Sequence, residues 1–334
     1  METSKEVGSK MSKKITVVTT FHPEGMTTYG EKFLESFALN VDKRIELIVY
    51  AENCKPKNPD PTRITILDAV ETLPKLNAFK ERWKDDPKAN GKCPWPERRP
   101  KDHHKEFKWH AIRFANKVYA VFDAAHRSKN WCVWMDADSI IHSQWNYEDF
   151  AELLPDTSWI TYVGRGKGVN PGPEGKMVVK NWPECGFYGL NLNDPVCHEF
   201  LKEFERMYED ADNGIFTLEE WHDSYVFGSI LFNMKVNFPN ALDYTAEIAV
   251  NNLAKSGGGG HPLINSRLGK WMDHMKGDRK LASLCLLLLQ TVLWLMVIML
   301  STMIIVPMLM LFGVYCLMDG WQEIKQYGNK KNQQ

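Results

Sequence analysis

The chain lacks any recognisable cysteine pattern. Seven cysteines occur in 334 residues, and none belongs to a CxxC pair or to a zinc-binding spacing. Cys132 lies in an apolar stretch, and Cys285 and Cys316 lie in the apolar C-terminal part. This usage excludes a disulfide-rich secreted scaffold and favours free thiols in a reducing compartment.

An excess of charge of either sign is also missing. The formal net charge is −1 at pH 7, so nothing predicts non-specific binding of nucleic acid. The polar N-terminus, METSKEVGSKMSKK, lacks the apolar core of a signal peptide. We therefore expect a disordered segment at 1–14 and a catalytic region on the cytoplasmic side.

Charged residues are absent from Leu281 to Met318. This run is about twice the ~20 residues that one membrane-spanning helix needs, and Pro307 offers a break near its middle. Basic residues lie on both sides of it: Lys276, Arg279, Lys280, Lys325, Lys330 and Lys331. The positive-inside rule then favours both ends on the cytoplasmic side. The pattern predicts membrane attachment through a transmembrane or re-entrant helical hairpin at 281–318, followed by a polar tail at 319–334. A buried soluble helix is the alternative.

The region before that tail alternates between strand-like and helix-like stretches. Strands are predicted at 15–20, 45–50, 63–67 and 131–135, and near Trp159 and Cys185. Helices are predicted at 27–40, 107–125, 196–207 and 221–232. Residues 71–105 hold many prolines and charges and are predicted to form a long surface loop. The alternation predicts one α/β domain over 15–275, with a mixed, mainly parallel sheet flanked by helices.

The stretch WCVWMDADSIIH carries the most specific signal in the chain. Its apolar residues lead directly into Asp136 and Asp138, as expected when a buried strand ends at the mouth of a sheet. Two carboxylates this close repel one another, so together they usually hold a cation.

Two chemistries use a strand that ends in Asp-x-Asp. In one, the acids hold Mg²⁺ or Mn²⁺ against the diphosphate of a nucleotide-sugar. In the other, the first aspartate is the nucleophile of a haloacid-dehalogenase-like phosphatase. A pair of acids that merely caps the following helix is the structural alternative. The long sheet-like sequence before Asp136 and the lack of a clear downstream acidic motif favour the first.

This placement resembles that of the GT-A-type glycosyltransferases, which act on nucleotide-diphospho-sugars and end their nucleotide-binding half with the DxD motif. The resemblance covers roughly Ile15 to Lys270 and implies a GT-A-like, Rossmann-like fold. It implies that Asp136 contacts both ribose and metal, that Ala137 lies in the donor site, and that Asp138 holds the metal.

The resemblance also implies donor contacts where the first two strands end. These residues are Thr19, Thr20, Phe21, His22 and Glu52. The position is physically sensible because open α/β sheets bind ligands at the carboxyl ends of their strands. Ordinary turns are the alternative.

On the helix before the DxD strand, His110, Arg113 and Lys117 fall at i, i+3 and i+7 and so share one face. The resemblance implies that Arg113 and Lys117 meet the nucleotide or orient the aspartates. A solvated helix face is the alternative.

Two further stretches resemble parts of the family's cleft. The glycine-containing strand CGFYGLN implies a donor contact at Gly189, although packing alone can explain its glycines. The acidic segment LEEWHDSY implies a catalytic base, with Asp223 the first choice and Glu220 the second. A capping box that starts at Thr217 is the alternative for the glutamates.

The last piece is the glycine run SGGGGHP. The resemblance implies that His261 completes the metal site and that Arg267 and Lys270 reach the same diphosphate. A neutral imidazole suits Mn²⁺, whereas the plain interpretation is a flexible linker.

Taken together, these features predict a Mn²⁺- or Mg²⁺-dependent glycosyltransferase on the cytoplasmic face of a membrane. Its partners would be a nucleotide-sugar donor and a glycan, lipid-linked or other hydroxyl acceptor. The competing hypotheses are a DxD phosphatase and a non-catalytic, membrane-tethered carbohydrate-binding or scaffold protein. The twelve tryptophans would suit sugar stacking in either a transferase or a binding module.

Overall fold

The computed structural model describes residues 13–164, 183–237, 250–252, 266–274, 310–314 and 317. The chain divides into two units, residues 1–275 and 276–334, and each is described by itself. The predictions for residues 1–12, for the polar tail at 319–334 and for most of 281–318 fall outside the described residues. Lys14 already contacts the fold, because its backbone N–H donates to Asn130 Oδ1 over 2.7 Å.

The described part of the first unit contains nine strands. They are β1 (Ile15–Phe21), β2 (Glu46–Ala51), β3 (Ile64–Asp68), β4 (Trp131–Met135), β5 (Ser139–Ile141), β6 (Ile160–Gly164), β7 (Pro183–Asn191), β8 (Val250–Asn252) and β9 (Met272–His274). Seven of them form one sheet in the order β3-β2-β1-β4-β7-β6-β8, and β5 pairs with β9.

The large sheet is mixed and mainly parallel, as predicted. β1 runs parallel to both β2 and β4, β2 to β3, and β6 to β8, whereas β7 is antiparallel to β4 and β6. From β1 the chain adds β2 and β3 on one side and then places β4 on the other. Such a reversal of strand order leaves a crevice at the carboxyl ends of the strands on either side of it, here β1 and β4.

The helices cover both faces of this sheet. They are α1 (Pro23–Gly25), α2 (Glu31–Asn40), α3 (Ala69–Thr72), α4 (Pro74–Trp83), α5 (Ala111–Arg127), α6 (Tyr147–Glu152), α7 (Pro195–Glu209) and α8 (Asp223–Asn237). One core lies on the side of α4, α5, α7 and α8, and the other on the side of α2 and α6. The strand and helix predictions at these places are confirmed, apart from shifts of a few residues at their ends.

Helix α5 packs against the two strands that border the crevice. It begins where His110 Nδ1 accepts the backbone N–H of Arg113 (3.3 Å) and ends where the Ser128 hydroxyl donates to Ala124 O (2.7 Å). Its apolar face, which includes Val118 and Phe122, is buried and packs on β1 and β4. Each such side chain contributes roughly 1.5–3 kcal/mol when fully buried, so the helix is firmly held beside β4.

The predicted surface loop at 71–105 is wrong in its first part. α4 occupies Pro74–Trp83 and buries Leu76, Phe79 and Trp83. The Phe79 ring lies 6.0 Å from that of Tyr119 on α5. The apolar spacing of i, i+3 and i+7 is helical, and Pro74 occupies the first helical turn, where its missing N–H costs nothing. The charged residues and prolines around these three side chains made the helical spacing hard to recognise from the sequence.

Of the second unit, the structure describes only residues 310–314 and 317, which are helical. Met310, Leu311 and Phe312 are exposed. Among the helices of the described residues, none combines the length and the apolar character needed to cross a bilayer.

Candidate active site

Asp136 and Asp138 stand at the carboxyl end of β4, beside β1. The backbone N–H of Asp136 donates to Gly186 O (2.9 Å), and that of Ser139 donates to Asp136 O (3.1 Å). The first bond ties the end of β4 to β7, and the second closes a tight turn between β4 and β5. Both carboxylate side chains keep 27% of their exposure, so they are reachable from solvent, while Ala137 between them is buried.

A residue far along the chain, His274, completes the cluster. The β5–β9 pair sets Ser139 opposite His274, which places this imidazole beside the DxD turn. The preceding Trp271 stacks on Trp145 with ring centroids 5.0 Å apart, and its carbonyl accepts the N–H of His142 (2.9 Å). These contacts fix the last described segment of the first unit against the metal-binding turn.

Asp136, Asp138 and His274 can together hold a metal ion. His274 Nε2 lies 3.3 Å from Asp136 Oδ2 and 3.1 Å from Asp138 Oδ1, and the three ligand atoms lie within 4.8 Å of one another. Two carboxylate oxygens and one imidazole nitrogen suit Mn²⁺ well and Mg²⁺ acceptably. The donor set therefore fits the divalent cation that the sequence predicted, with His274 as its third member.

Lys117 is buried in the middle of the site. Its ammonium donates to Asp136 Oδ1 (3.0 Å), forms an ion pair with Asp223 Oδ2 (2.6 Å) and donates to Cys185 O. The ring of Trp134 lies beneath it, with the centroid 4.8 Å away. The alternative of a solvated helix face is therefore wrong for Lys117, which is 8% exposed.

The electrostatics of the site follow from these contacts. Burial by itself would raise the pKa of Asp136, but the charge of Lys117 and the hydrogen bond from His274 outweigh it and lower the pKa. Burial likewise opposes the charge on Lys117, but Asp136 and Asp223 raise its pKa. Lys117 and Trp134 Nε1 (2.7 Å) both bind Oδ1 of Asp136. Oδ2 therefore faces His274 and is the oxygen available to a metal.

The two residues predicted as catalytic bases lie in different surroundings. Asp223 begins α8 and faces Lys117. Glu220 precedes that helix and binds Lys108 (2.8 Å), Arg99 (3.1 Å) and His222 (3.1 Å). Since α8 begins at Asp223, neither Glu219 nor Glu220 lies in its first turn, and the capping-box alternative is wrong.

The residues predicted at the ends of β1 and β2 share the edge of the sheet that carries the DxD turn. Thr19 is fully buried, and its Oγ1 has no hydrogen-bond partner within the described residues. The Thr20 hydroxyl donates to Tyr50 O (2.7 Å), and Phe21 is buried. His22 is exposed and caps α1, and Glu52 pairs with Lys80.

Four other residues predicted to contact the donor are exposed, ion-paired with other groups, or explained by core packing. Arg113 is exposed on α5. Arg267 pairs with Glu152 (2.5 Å) and Lys270 with Asp149 (3.6 Å), both acids in or beside α6. A Cβ on Gly189 would lie 2.6 Å from Leu154 Cδ2, so core packing accounts for that glycine.

The sequence predicted a different histidine, His261, as the third metal ligand. His261 lies outside the described residues, so its role stays a prediction. His274 was missed, although its segment carries a signal. Met272 and His274 are buried on either side of the exposed Asp273, an alternation that is typical of a short strand and places the histidine on its inner face.

Comparisons with known proteins give little support for any particular activity. No protein-family model and no curated protein matches the chain. Among solved structures, the apo structure of WbbM, a bifunctional glycosyltransferase, is similar with a TM-score of 0.43 and 10% sequence identity, over 80% of this chain and 47% of that one. The chain thus spans about half the length of that protein. At this score and identity, the likeness decides neither the family nor the activity.

Replacing one histidine at a time tests the metal ligands. We expect His274→Ala to weaken Mn²⁺ binding by at least about 100-fold, because losing even an outer partner of a ligand costs roughly 10–100-fold. His126→Ala, at an exposed position near the end of α5, is the matched control, and we expect it to change the affinity little. Calorimetry with MnCl₂ gives both affinities, and thermal unfolding checks that each variant folds. An unchanged Mn²⁺ affinity in His274→Ala would contradict the assignment of His274.

Metal binding should also depend on pH in a defined direction. Burial by itself would lower the pKa of His274, but hydrogen bonds with Asp136 and Asp138 raise it to about 9. The metal-free site therefore carries a proton at neutral pH, and a cation must displace it. We expect the Mn²⁺ affinity to rise about tenfold per pH unit from about pH 7 and to level off near the pKa. Calorimetry in buffers of different ionisation enthalpy measures the released proton, and a constant affinity over this range would contradict the prediction.

Proposed function

We propose that this protein is a divalent-metal-dependent glycosyltransferase that moves a sugar from a nucleotide-diphosphate donor to a hydroxyl acceptor. The observation that supports it most is the cluster of Asp136, Asp138 and His274 at the carboxyl end of β4. This is the place where an open α/β sheet binds ligands, next to the reversal of strand order. Three protein ligands leave coordination positions for phosphate oxygens and water.

Asp136, Asp138 and His274 would hold Mn²⁺ or Mg²⁺ at this edge. When bound, the cation would neutralise the charge that builds up on the departing nucleoside diphosphate. Lys117 and Trp134 keep one oxygen of Asp136 occupied, and this fixes the direction of the other. The protein thereby presents its ligands in one arrangement rather than letting two acids compete for a proton.

The donor would occupy the crevice between the ends of β1 and β4. We propose that Thr19, Thr20, Phe21, His22 and Glu52 line its nucleoside side, because they end the two strands on that side of the crevice. Thr19 supports this choice, since its buried hydroxyl has no partner in the described part of the chain. A buried hydroxyl is normally paired, so a small shift of β1 on donor binding would satisfy it.

Asp223 and Lys117 would hold the acceptor side of the site together. Their ion pair joins the start of α8 to α5 and, through Asp136, to the metal centre. From the sequence, Asp223 is the first candidate to take the proton of the acceptor hydroxyl and Glu220 the second. Both carboxylates are ion-paired, and taking a proton would break a largely buried ion pair in either case.

The test is a panel of nucleotide-sugars offered to the full chain with and without Mn²⁺. UDP-glucose, UDP-galactose, UDP-N-acetylglucosamine and GDP-mannose would serve as donors, with release of nucleoside diphosphate as the readout. We expect metal-dependent hydrolysis or transfer with one of them, which Asp138→Asn should reduce by at least about 100-fold. Asp273→Asn, an exposed change next to His274, is the matched control.

The rival functions predict different outcomes. A phosphatase would release phosphate from simple esters and form a beryllofluoride adduct on Asp136. A carbohydrate-binding protein without catalysis would bind glycans without metal and show no affinity for nucleotide-sugars. Either result, with a folded chain and no donor binding, would contradict the glycosyltransferase proposal.

We further propose that residues 281–318 attach the protein to a membrane, with the catalytic unit on the cytoplasmic side and a glycan or lipid-linked acceptor nearby. The support is the charge-free sequence and its basic flanks, together with the exposed apolar side chains of Met310, Leu311 and Phe312. A membrane anchor raises the local concentration of membrane-bound acceptors.

Charge placed inside the run tests this attachment. Leu295→Arg with Ile298→Arg should release the protein from carbonate-washed membranes, because each arginine costs about 2.5–3.5 kcal/mol at the centre of a spanning helix. Gln326→Arg with Asn329→Arg, beyond the run, is the control and should remain in the membrane fraction. If both variants divide between the membrane and soluble fractions as the unchanged protein does, the proposal is contradicted.

A further inference from the structure

Beside the candidate metal centre lies a second pair of titratable side chains. His222 Nε2 is 3.1 Å from Glu220 Oε2, and both residues are buried, with exposures of 9% and 6%. They flank Trp221, which is fully buried. Its backbone N–H donates to Lys108 O (2.7 Å) and its Nε1 to Leu218 O (3.2 Å). These hydrogen bonds hold Trp221 in place and so fix the backbone of Glu220 and His222 on either side of it.

Glu220 is prepared to orient an imidazole rather than to accept a proton. Its Oε1 accepts from Lys108 Nζ (2.8 Å) and Arg99 Nη1 (3.1 Å), which leaves Oε2 for His222. Burial by itself would raise the pKa of Glu220, but the hydrogen bonds from His222 and Lys108 outweigh it and lower the pKa. Glu220 therefore stays ionised and holds one nitrogen of the imidazole.

The second nitrogen of His222 is available. Within the described residues, Nδ1 makes no hydrogen bond, and the side chain keeps 11% of its exposure. The aromatic rings of Phe107, Phe114 and Tyr225 surround the imidazole, with centroids 5.9 to 6.1 Å away. Among the described residues, the titratable groups recorded in contact with it are Glu220 and Tyr225. Asp223 follows it in the sequence, and Lys108 and Arg99 act on it through Glu220.

The pair of His222 and Glu220 is connected to the metal centre through Asp223 and Lys117. His222 immediately precedes Asp223, Asp223 pairs with Lys117 (2.6 Å), and Lys117 binds Asp136 (3.0 Å). Adjacent Cα atoms are only 3.8 Å apart. His222 therefore adjoins the Asp223–Lys117 pair that we propose for the acceptor side of the site.

We propose that His222, oriented by Glu220, is the catalytic base that takes the proton of the acceptor hydroxyl. This inference rests on the proposed function and names the residue that performs its proton transfer. A carboxylate bound to one imidazole nitrogen fixes the ring and stabilises the imidazolium that forms when the other nitrogen gains a proton.

The step balances within the groups named. The acceptor oxygen forms a bond to the anomeric carbon as its proton passes to His222 Nδ1. The bond between the anomeric carbon and the phosphate oxygen breaks, and its electron pair leaves with the nucleoside diphosphate. The imidazolium, paired with Glu220, returns its proton to solvent after the products depart.

Asp223 is the competing base, and its contacts make it the weaker candidate. Its carboxylate lies 2.6 Å from the ammonium of Lys117, and proton uptake would break that buried ion pair. Breaking a buried ion pair is strongly unfavourable because it leaves an uncompensated charge. His222 can take a proton without losing a partner, because its bond to Glu220 then becomes charge-assisted.

The test compares His222→Gln with Asp223→Asn in the full chain, using Mn²⁺ and the donor that turns over in the nucleotide-sugar panel. Water and methyl glycosides of glucose, galactose and mannose are the acceptors. We expect His222→Gln to lower kcat, measured with saturating Mn²⁺ at every pH, by about 10²–10⁴-fold and to remove the acid limb of the kcat profile. Metal-dependent binding of the donor nucleotide, measured by calorimetry, should stay within about threefold of the unchanged protein, because His222 is proposed to contact the acceptor and not the nucleotide.

Controls separate catalysis from structure. His126→Gln, exposed at the end of α5, should change nothing. Glu220→Gln should lower kcat less than His222→Gln and keep the acid limb, and the double variant should be no slower than His222→Gln alone, since the two residues act as one unit. If His222→Gln unfolds, the effect of Glu220→Gln and rescue of His222→Ala by free imidazole decide the matter.

Three outcomes would overturn the inference. An acid limb that persists in His222→Gln but disappears in Asp223→Asn would make Asp223 the base. Unchanged kcat with lowered thermal stability would leave His222 a purely structural partner of Glu220. Turnover of no donor by the unchanged protein, with no donor binding, would remove the proposed function and this inference together.

Discussion

The buried ammonium of Lys117 is the constraint around which the candidate site is built. A lysine is rarely buried unless it is paired, and here its partners come from three other parts of the chain: Asp136 after β4, Asp223 at the start of α8, and the carbonyl of Cys185 in β7. Removing Asp136 or Asp223 would leave the buried ammonium with one counter-charge fewer, which costs several kcal/mol. One cation therefore joins α5, the end of β4, β7 and α8, and gives the metal-binding aspartate its direction.

Backbone pairing supplies what this ion pair does not. The parallel pairing of β1 with β4 sets the DxD turn beside the end of β1, and the short β5–β9 pair brings His274 across from Ser139. Trp271 on Trp145 anchors that pair in the core on the side of α2 and α6. The metal ligands and the proposed catalytic base thus lie on elements from different layers of the fold. The side chain of Lys117 links these elements.

Much of the sheet was predictable because its strands are buried on both faces and so appear as continuous apolar runs. β1, β2 and β4 were located in this way, and the aspartates followed from the end of β4. The error at 71–105 has the opposite cause. Leu76, Phe79 and Trp83 form one buried stripe, but the charges and prolines around them hid a helix whose stability comes from packing against α5.

The sequence by itself determined the six longest strands, the helices α2, α5, α7 and α8, the strand that ends in two aspartates, and the long charge-free segment near the C-terminus. These are local properties of hydrophobic periodicity and charge. Only the tertiary structure decided that Lys117 is buried, that His274 joins the aspartates, and that Glu220 faces His222 rather than a helix N-terminus. Each of these depends on contacts between residues far apart in the chain, which local patterns do not encode because pairing register and helix packing set them.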